Sequence, residues 1–410
     1  MHLHLSTQNR ELSGKIAVTG SKSESNRLLI LQALYPNLEI ENLSNSDDTK
    51  VLQKALGSKN EVIDIHHAGT AMRFLTAYFV SKEGREVLLT GSQRMQERPI
   101  AILVDALREL GAEITYEKNE DFPPLRIKGK KLLKNEVKVQ ANISSQYISA
   151  LMLIAPSLHK GLKIYLEGKV TSVPYIKMTL QLLKQCGING SFENNVIFIE
   201  PVSQISQKQI IVESDWSSAS YFYSMAAISG SSEINLTSYR ENSLQGDRST
   251  ADIYQKLGVK TTFLEGELKL EKTEVELPEI LQLDLANSPD LAQTVAVTCF
   301  GLGIGAQLTG LHTLRIKETD RLQALKNEIE KLGGKVEITE DTLQLSASEE
   351  INPNIAIDTY NDHRMALAFA PLALKVPIVI NDAGVVSKSF PEFWENLQQL
   401  KFSVKESVKE

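Results

Sequence analysis

The sequence has few cysteines, no apolar run of membrane length and no secretory leader, and each absence excludes a class of protein. Its 410 residues include only two cysteines, Cys186 and Cys299, which favours a reduced intracellular protein over a disulfide scaffold. The most apolar stretch, residues 365–379, contains Lys375 and two prolines, and it is shorter than the roughly 18 residues of a membrane helix. Residues 1–10 lack the apolar core of a secretory signal. We therefore expect a cytoplasmic protein without membrane contact.

The chain also lacks an excess of positive charge. Its net charge is -7 and its calculated pI is about 5.7, whereas a nucleic-acid-binding domain is normally basic. An acidic protein can still contain a locally positive pocket, so anionic small molecules remain possible ligands. With 42% hydrophobic and 23% charged residues, the composition is that of a globular protein. A chain of this length predicts two or more domains.

A repeat of amphipathic segments runs through the sequence. Each segment ends at an apolar residue followed by glycine, and these glycines recur every 71 to 76 residues: Gly111, Gly187, Gly258 and Gly333. Glycine suits the left-handed position that ends a helix. Weaker copies at residues 49–57 and 391–400 bring the predicted outer helices to six.

A second series of segments lies between the outer helices. These segments are apolar nearly all round, which predicts buried helices, and they begin near Asn26, Thr70, Ser145, Ser218, Asp290 and Asp362. The last five starts are 72 to 75 residues apart, but the first gap is 44, so the first unit is about 30 residues short. Strand-like runs fill the remainder and predict six units, three per domain. A helical solenoid is the alternative, and the strand-like runs weigh against it.

Polar clusters open the predicted buried helices, where free N–H groups and the helix dipole favour phosphate or carboxylate. The first cluster contains Lys22, Ser23 and Arg27, and the second has Gly69, whose missing side chain permits an anion to approach closely. A third contains Ser144, Ser145 and Gln146. Serine at a helix start is most often a cap, so each cluster alone has an ordinary structural explanation.

Further clusters in the chain combine acids with cations. Glu318 lies in a first helical turn, where the dipole favours an acid, but the same dipole disfavours the adjacent Lys317 and Arg321. Arg364 poses the same problem, and Asp290 precedes an apolar helix. Two more cations lie in loops just before helices, Arg98 and Lys388.

Taken together, these segments resemble the 5-enolpyruvylshikimate-3-phosphate synthases, a family of enolpyruvyl transferases. Seven motifs follow one another in the family's order: GSKSESNR, AGTAMR, RMQERPI, SSQY, KETDRL, NDHRMA and SKSFPEF. The resemblance covers nearly the whole chain. It implies an α/β fold of two domains, each of three βαβαββ units with pseudo-threefold symmetry, an inside-out α/β barrel. We expect one domain from residues 1–18 with 213–410 and an inserted domain from 19–212, whose first unit is shortened.

The resemblance also implies a reaction. The family transfers the carboxyvinyl group of phosphoenolpyruvate to the 5-hydroxyl of shikimate 3-phosphate and releases phosphate through a tetrahedral intermediate, on the way to chorismate and the aromatic amino acids. It uses no metal or organic cofactor. We therefore expect two small-molecule substrates, no nucleic-acid or membrane partner, and a monomer.

Site residues follow from the same motifs. The resemblance implies that shikimate 3-phosphate is bound by Lys22, Ser23, Arg27, Ser144, Ser145, Gln146, Ser172, Tyr175, Asp290 and Lys317. It implies that phosphoenolpyruvate is bound by Lys22, Gly69, Arg98, Gln146, Arg321, Arg364 and Lys388. Asp290 resembles the acceptor of the hydroxyl proton, Glu318 the residue that exchanges protons with the methylene carbon, and Lys22 a third catalytic group. Two carboxyls with different protonation suit such an addition–elimination.

Some positions depart from common family patterns, and two rival functions remain. His67, Phe74, Thr313 and Trp216 stand where many relatives have other residues, so His67 and Thr313 are left out of the expected site. One rival is the related transferase that acts on UDP-N-acetylglucosamine, which needs a reactive cysteine in a Gly- and Pro-rich loop; neither Cys186 nor Cys299 fits that context. The other rival is a non-catalytic phosphosugar-binding homologue, and the presence of both Asp290 and Glu318 disfavours it.

Overall fold

The computed structural model describes residues 1–140, 145–168, 170 and 173–406. The chain divides into two compact units, and each is described by itself. Unit 1 comprises Met1–Thr19 with Glu213–Glu410, and unit 2 comprises Gly20–Val212.

Strands are numbered in chain order. They are β1 (Leu3–Ser6), β2 (Glu11–Ile16), β3 (Leu38–Glu41), β4 (Val62–Asp64), β5 (Glu86–Thr90), β6 (Glu113–Tyr116), β7 (Leu125–Lys128), β8 (Glu136–Gln140), β9 (Leu162–Glu167), β10 (Gly190–Glu193), β11 (Val196–Ile199), β12 (Lys208–Ile211), β13 (Ser231–Thr237), β14 (Val259–Leu264), β15 (Glu267–Lys272), β16 (Ile280–Asp284), β17 (Gly305–Thr309), β18 (Val336–Ile338), β19 (Leu343–Leu345), β20 (Ile355–Ile357), β21 (Ile378–Ile380) and β22 (Ser403–Glu406).

Helices are numbered in the same way. They are α1 (Lys22–Leu34), α2 (Asp47–Gly57), α3 (Gly69–Val80), α4 (Gln93–Gln96), α5 (Ala101–Glu109), α6 (Ser145–Ile154), α7 (Val173–Gln185), α8 (Trp216–Ile228), α9 (Thr250–Gln255), α10 (Ala292–Leu302), α11 (Arg321–Lys331), α12 (His363–Phe369) and α13 (Phe393–Gln399). Short 3₁₀ segments occur at Ala155–Ser157, Gly246–Ser249, Pro289–Leu291, His312–Ile316, Ala370–Leu374 and Ala383–Lys388.

Five of the six sheets repeat one pattern, a parallel pair of strands extended by an antiparallel pair, which is a hairpin in every case except β1 and β22. In unit 1 the strand orders are β20-β21-β1-β22, β14-β15-β13-β2 and β16-β17-β19-β18. In unit 2 they are β10-β11-β9-β8, β4-β5-β7-β6 and β12-β3, and the last has the parallel pair without a hairpin in the described residues. The N-terminal strands β1 and β2 complete two sheets of unit 1. The predicted α/β fold class is confirmed.

Buried helices form the centre of each unit. In unit 1, α8, α10 and α12 contact one another, and in unit 2, α1, α3 and α6 do the same. Every residue of α8 except Ser217 is buried, as expected of a helix that is apolar on all sides. In the described part of the chain, no helix combines the length and apolar character needed to cross a bilayer.

Helix boundaries follow local chemistry. The glycines expected to end the outer helices have positive φ: Gly111, Gly187, Gly258 and Gly333. Helix α1 begins at Lys22, four residues before the expected start near Asn26, because the Ser21 hydroxyl accepts a hydrogen bond from the Glu24 amide at 3.4 Å and caps the helix there. Lys22 therefore occupies the first helical position.

Trp216, one of the positions that depart from the common family patterns, is the first residue of α8 and is fully buried. Its indole Nε1 donates to the Glu213 carboxylate at 2.9 Å. The same carboxylate accepts from the backbone N–H of Arg240 at 2.9 Å and from the Ser243 hydroxyl at 2.6 Å. Burial raises the pKa of Glu213, so these donors offset the cost of its desolvation.

We expect Trp216→Phe to lower the free energy of unfolding by about 1.5–3 kcal/mol, because it removes a donor from a buried carboxylate. The second tryptophan provides a matched control. Trp394 donates to the neutral carbonyl of Ala383 at 3.0 Å, so Trp394→Phe should cost only about 0.5–1.5 kcal/mol for its hydrogen bond. Urea unfolding followed by circular dichroism measures both. Equal losses for the two variants would contradict a special role for the carboxylate.

Candidate active site

Arg321, the first residue of α11, is the centre of a cluster of charged side chains in unit 1. Its side chain is 2% exposed. Nε donates to Asp362 Oδ2 at 2.6 Å, Nη1 to Asp290 Oδ1 at 2.8 Å, and Nη2 to Glu318 Oε2 at 2.9 Å. Burial opposes the charge of Arg321, but Asp362, Glu318 and Asp290 outweigh it and raise its pKa. The guanidinium therefore fixes three carboxylates at once.

Asp290, in the 3₁₀ segment Pro289–Leu291, is held by three cations. Besides Arg321, its Oδ1 lies 3.5 Å from Lys317 Nζ, and its Oδ2 accepts from Arg364 Nη2 at 3.2 Å. Burial would raise the pKa of Asp290, but Arg364, Lys317 and Arg321 overcome it and hold the pKa far below its usual value. In this state the carboxylate is ionised and a weak base.

Glu318 joins Arg321 to Lys388. Its Oε1 accepts from Lys388 Nζ at 3.0 Å, while its Oε2 accepts from Arg321. Lys388 ends the 3₁₀ segment Ala383–Lys388 and is buried. The side chains of Glu318 and Asp290 are each 16% exposed, so both carboxyls stay accessible from solvent while their partner Arg321 does not.

Arg364 is positioned by the cap of its own helix. Asp362, which is fully buried, accepts from the Arg364 backbone N–H at 2.9 Å and caps α12. The Arg364 guanidinium contacts the Tyr221 hydroxyl at 3.4 Å, the Ser217 hydroxyl at 3.2 Å and the Asp290 carbonyl at 3.3 Å. Because Asp362 binds both Arg321 and the start of α12, it sets the position of the two arginines relative to each other.

The expected residues of unit 1 thus come together in one cluster. Four cations, Lys317, Arg321, Arg364 and Lys388, face the carboxylates of Asp290, Glu318 and Asp362. Among these seven side chains the cations outnumber the carboxylates by one, and the carboxylates hold the cations in place. An incoming anion can take over hydrogen bonds that Asp290 and Glu318 now receive.

Unit 2 has its own cluster at the start of α1. Lys22 Nζ lies 3.3 Å from Asp48 Oδ2, and the Asp48 side chain is 4% exposed. Asp48 belongs to the first turn of α2, which Ser46 caps. Ser23 contributes its carbonyl, which accepts from Arg27 Nη1 at 2.8 Å. The lysine is therefore oriented by an acid of the neighbouring helix.

Arg27 is buried among neutral groups. Its Nε donates to Thr179 Oγ1 at 2.8 Å and its Nη2 to Ser149 Oγ at 3.1 Å. The guanidinium also lies over the rings of Phe74 and Tyr175, at 5.4 and 5.9 Å from their centroids. Burial lowers the pKa of Arg27 to about 10, with Tyr175 and Glu24 acting against it. Arg27 stays charged at neutral pH, and neutral partners leave much of that charge available to an anion.

Gly69 and Arg98, two more of the expected site residues, lie next to each other in unit 2. A Cβ on Gly69 would lie 2.6 Å from Arg98 Nη1 and 3.2 Å from Arg73 Nη1. Arg73 donates to the Gly69 carbonyl at 3.1 Å and to the Pro99 carbonyl at 3.4 Å, and the Tyr147 hydroxyl donates to Pro99 at 2.7 Å. The missing side chain at Gly69 therefore makes room for the Arg98 guanidinium.

The remaining expected residues lie partly outside the described structure. Ser145 begins α6, and Gln146 Nε2 donates to Thr70 Oγ1 at 3.3 Å, which places the amide at the start of α3. Tyr175 lies in the first turn of α7 beside Arg27. Ser144 and Ser172 lie outside the described residues.

Sequence reasoning missed several residues that contact the clusters. Asp362, Ser217, Tyr221 and Asp247 do so in unit 1, and Asp48, Arg73, Ser149 and Thr179 do so in unit 2. Asp362 and Asp48 look like ordinary acids at helix starts in the sequence, and the hydroxyl residues carry no charge that would single them out. Asp362 and Arg73 lie within the motifs NDHRMA and AGTAMR, which was the one signal that the sequence offered for them.

Comparisons with known proteins identify the family of the chain. The family model of EPSP synthase (3-phosphoshikimate 1-carboxyvinyltransferase) matches residues 52–397. The chain belongs to the EPSP synthase family. The 3-phosphoshikimate 1-carboxyvinyltransferase of Bacteroides fragilis strain YCH46 is 46% identical over 399 residues, which cover 96% of this chain and 97% of that protein. The enzyme of the same name from Sulfurovum sp. strain NBC37-1 is 38% identical and covers 95% and 97%.

Solved structures show the same fold. EPSP synthase from Acinetobacter baumannii superposes with a TM-score of 0.77 at 22% identity, over 99% of this chain and 100% of that one. The enolpyruvyl transferase NikO from Streptomyces tendae superposes with a TM-score of 0.75 at 14% identity, over 100% of this chain and 99% of that one.

Within the described ranges, no group of three His, Cys, Asp or Glu side chains is arranged to hold a metal ion.

We expect Gly69→Ala to displace Arg98, since the new methyl group would lie 2.6 Å from Nη1. The sequence resemblance implies that phosphoenolpyruvate binds here. Misplacing the guanidinium should therefore weaken its binding and raise its KM by roughly tenfold. Gly57→Ala is the control, because a Cβ there meets no atom within 4 Å. Steady-state kinetics and a crystal structure of the variant measure the effect. An unmoved Arg98 with an unchanged KM would contradict it.

Proposed function

We infer that this chain is a 3-phosphoshikimate 1-carboxyvinyltransferase, which transfers the carboxyvinyl group of phosphoenolpyruvate to the 5-hydroxyl of shikimate 3-phosphate and releases phosphate. Membership of the family and 46% identity over nearly the full length support this reaction. One observation in the structure supports it best: Asp290 and Glu318, the two carboxyls that the reaction requires, are both bound to Arg321.

We propose that Arg321, Arg364 and Lys388 bind the anionic groups of phosphoenolpyruvate, together with Lys22, Gly69, Arg98 and Gln146. Arginine suits two-point contacts to carboxylate or phosphate. In unit 1 these contacts replace hydrogen bonds to Asp290 and Glu318, so binding requires an exchange of anions rather than capture by empty cations. Asp362 still holds the guanidinium of Arg321 and the backbone N–H of Arg364, so we expect Arg321 to change position little.

That exchange activates Asp290. The cations that hold its pKa down in the free protein become neutralised by the substrate, so its pKa rises and it becomes a stronger base. Asp290 then accepts the proton of the 5-hydroxyl as the oxygen attacks C2 of phosphoenolpyruvate, and a proton is added to the methylene carbon. The C2–oxygen bond to shikimate 3-phosphate forms in this step, and the tetrahedral intermediate results.

Elimination reverses the proton transfer at the methyl carbon. Glu318, between Arg321 and Lys388, must carry a proton in the complex, which it donates to the methylene in the addition and recovers from the methyl group in the elimination. The bond between C2 and the phosphate oxygen breaks, the phosphate leaves with the proton that Asp290 accepted, and the cations stabilise it without having to reorganise. Lys22 is the third catalytic group and contacts both substrates in this proposal.

Shikimate 3-phosphate is bound, in this proposal, by Lys22, Ser23, Arg27, Ser144, Ser145, Gln146, Ser172, Tyr175, Asp290 and Lys317. The strongest support is Arg27, whose charge is met mainly by hydroxyl groups and aromatic faces. A phosphate is the natural partner for a buried guanidinium of this kind. We also propose two domains, residues 1–18 with 213–410 and residues 19–212.

The UDP-N-acetylglucosamine reaction is disfavoured by the state of the thiols. Cys186 and Cys299 are both buried, and burial raises the pKa of each to about 12. A protonated buried thiol is a poor nucleophile. Two reduced thiols also suit a cytoplasmic enzyme, and we propose a cytoplasmic monomer that uses no cofactor.

The assay that tests this function measures phosphate released from phosphoenolpyruvate by the purified chain. Release is expected only when shikimate 3-phosphate is added, with one phosphate per 5-enolpyruvylshikimate 3-phosphate formed. UDP-N-acetylglucosamine serves as the competing acceptor and should give none. Release with the nucleotide sugar but not with shikimate 3-phosphate would overturn the proposal.

A further inference from the structure

Asp247 is a buried carboxyl behind the cluster of unit 1, and none of the roles described above uses it. It lies in the 3₁₀ segment Gly246–Ser249 and is 4% exposed. The Ser217 hydroxyl donates to Asp247 Oδ2 and accepts from Arg364 Nη2 at 3.2 Å. Within the described residues, the other oxygen, Oδ1, is buried and has no hydrogen-bond partner. Ser217 thus links Asp247 to one of the two arginines.

Charged groups from several elements face this carboxyl. Burial, together with the carboxylates of Asp290 and Asp215, raises the pKa of Asp247 to about 6, against the lowering effect of Arg364 and of the Ser217 hydrogen bond. Asp290 comes from Pro289–Leu291, Arg364 from α12, and Asp215 from the cap of α8. A single proton on Asp247 therefore changes the net charge beside Arg364 near neutral pH.

We propose that Asp247 is a positioning residue: through Ser217 it holds the Arg364 guanidinium against Asp290, and the proton on its carboxyl sets how strongly Arg364 attracts the anion of phosphoenolpyruvate. This proposal rests on the proposed function. In this proposal Asp247 does not touch the substrate, but its protonation state changes how strongly Arg364, which does, attracts the substrate anion.

The direction of the effect follows from the charges. Below about pH 6 Asp247 is protonated, and Arg364 offers more of its charge to the substrate. Above that pH the ionised carboxylate competes for the same guanidinium, so KM for phosphoenolpyruvate should rise. The phosphate of the substrate also titrates in this range, but its ionisation is common to wild type and variant and cancels in their ratio.

Asp247→Asn tests the proposal because it keeps the shape and removes the ionisation. The ratio of kcat/KM for phosphoenolpyruvate, variant over wild type, should rise by about fivefold between pH 5 and pH 8, with an inflection near pH 6. Asp252→Asn is the control, since that side chain is 72% exposed and pairs with Arg248; its ratio should be flat. A flat ratio for Asp247→Asn as well would overturn the proposal.

Ser217→Ala provides a second test that a loss of folding in the first variant cannot obscure. The Ser217 hydrogen bond lowers the pKa of Asp247. In the Ser217→Ala variant, which retains Asp247, the inflection in the plot of kcat/KM against pH should therefore move to higher pH. A purely structural role for Ser217 would lower activity without moving the inflection, and that result would contradict the proposal. If the proposed function itself were wrong, the wild-type chain would release no phosphate at any pH, which is a separate outcome.

Discussion

The ion pairs of Arg321 are the interaction on which the site of unit 1 depends. Removing a guanidinium from water costs several kcal/mol, and this cost is offset only when its donors meet well-placed acceptors. Arg321 meets three, Asp362, Asp290 and Glu318. Asp362 also caps α12 and so fixes Arg364. One buried side chain therefore helps to position the carboxyls of Asp290 and Glu318 directly, and the second arginine through Asp362.

This arrangement connects binding to catalysis. A set of bare cations would bind phosphoenolpyruvate tightly but would leave no base of suitable strength, and bare carboxylates would repel the substrate. In the free protein the cations and the carboxylates neutralise each other, and the cations lower the pKa of Asp290. We propose that the substrate anion replaces the carboxylates while the cations remain in place, so that Asp290 regains basicity and the charge is stabilised without reorganisation. Asp247 adjusts the same balance from behind Arg364.

The fold class and the residues that gather in the cluster of unit 1 could be predicted from the sequence, for identifiable reasons. Helices that repeat every 71 to 76 residues leave a regular signal, and a cation at a helix start, such as Arg321, conflicts with the dipole and so stands out. Asp247 and Asp48 could not be predicted, because an acid in a first turn has an ordinary explanation and their partners lie far away in sequence. The start of α1 was placed four residues late, since the capping role of Ser21 depends on its backbone geometry.

The central claim is that substrate anions release Asp290 from its cations, and the pKa of Asp290 itself tests this most directly. Carbon-13 NMR of protein labelled at the aspartate carboxyl carbons can follow it, with the resonance assigned by its loss in Asp290→Asn. We predict that the carboxyl stays ionised throughout the acid range in which the free protein is folded, and that it titrates within that range when phosphoenolpyruvate is bound, because its pKa has risen. A carboxyl that stays ionised over the same range in the complex would contradict the account.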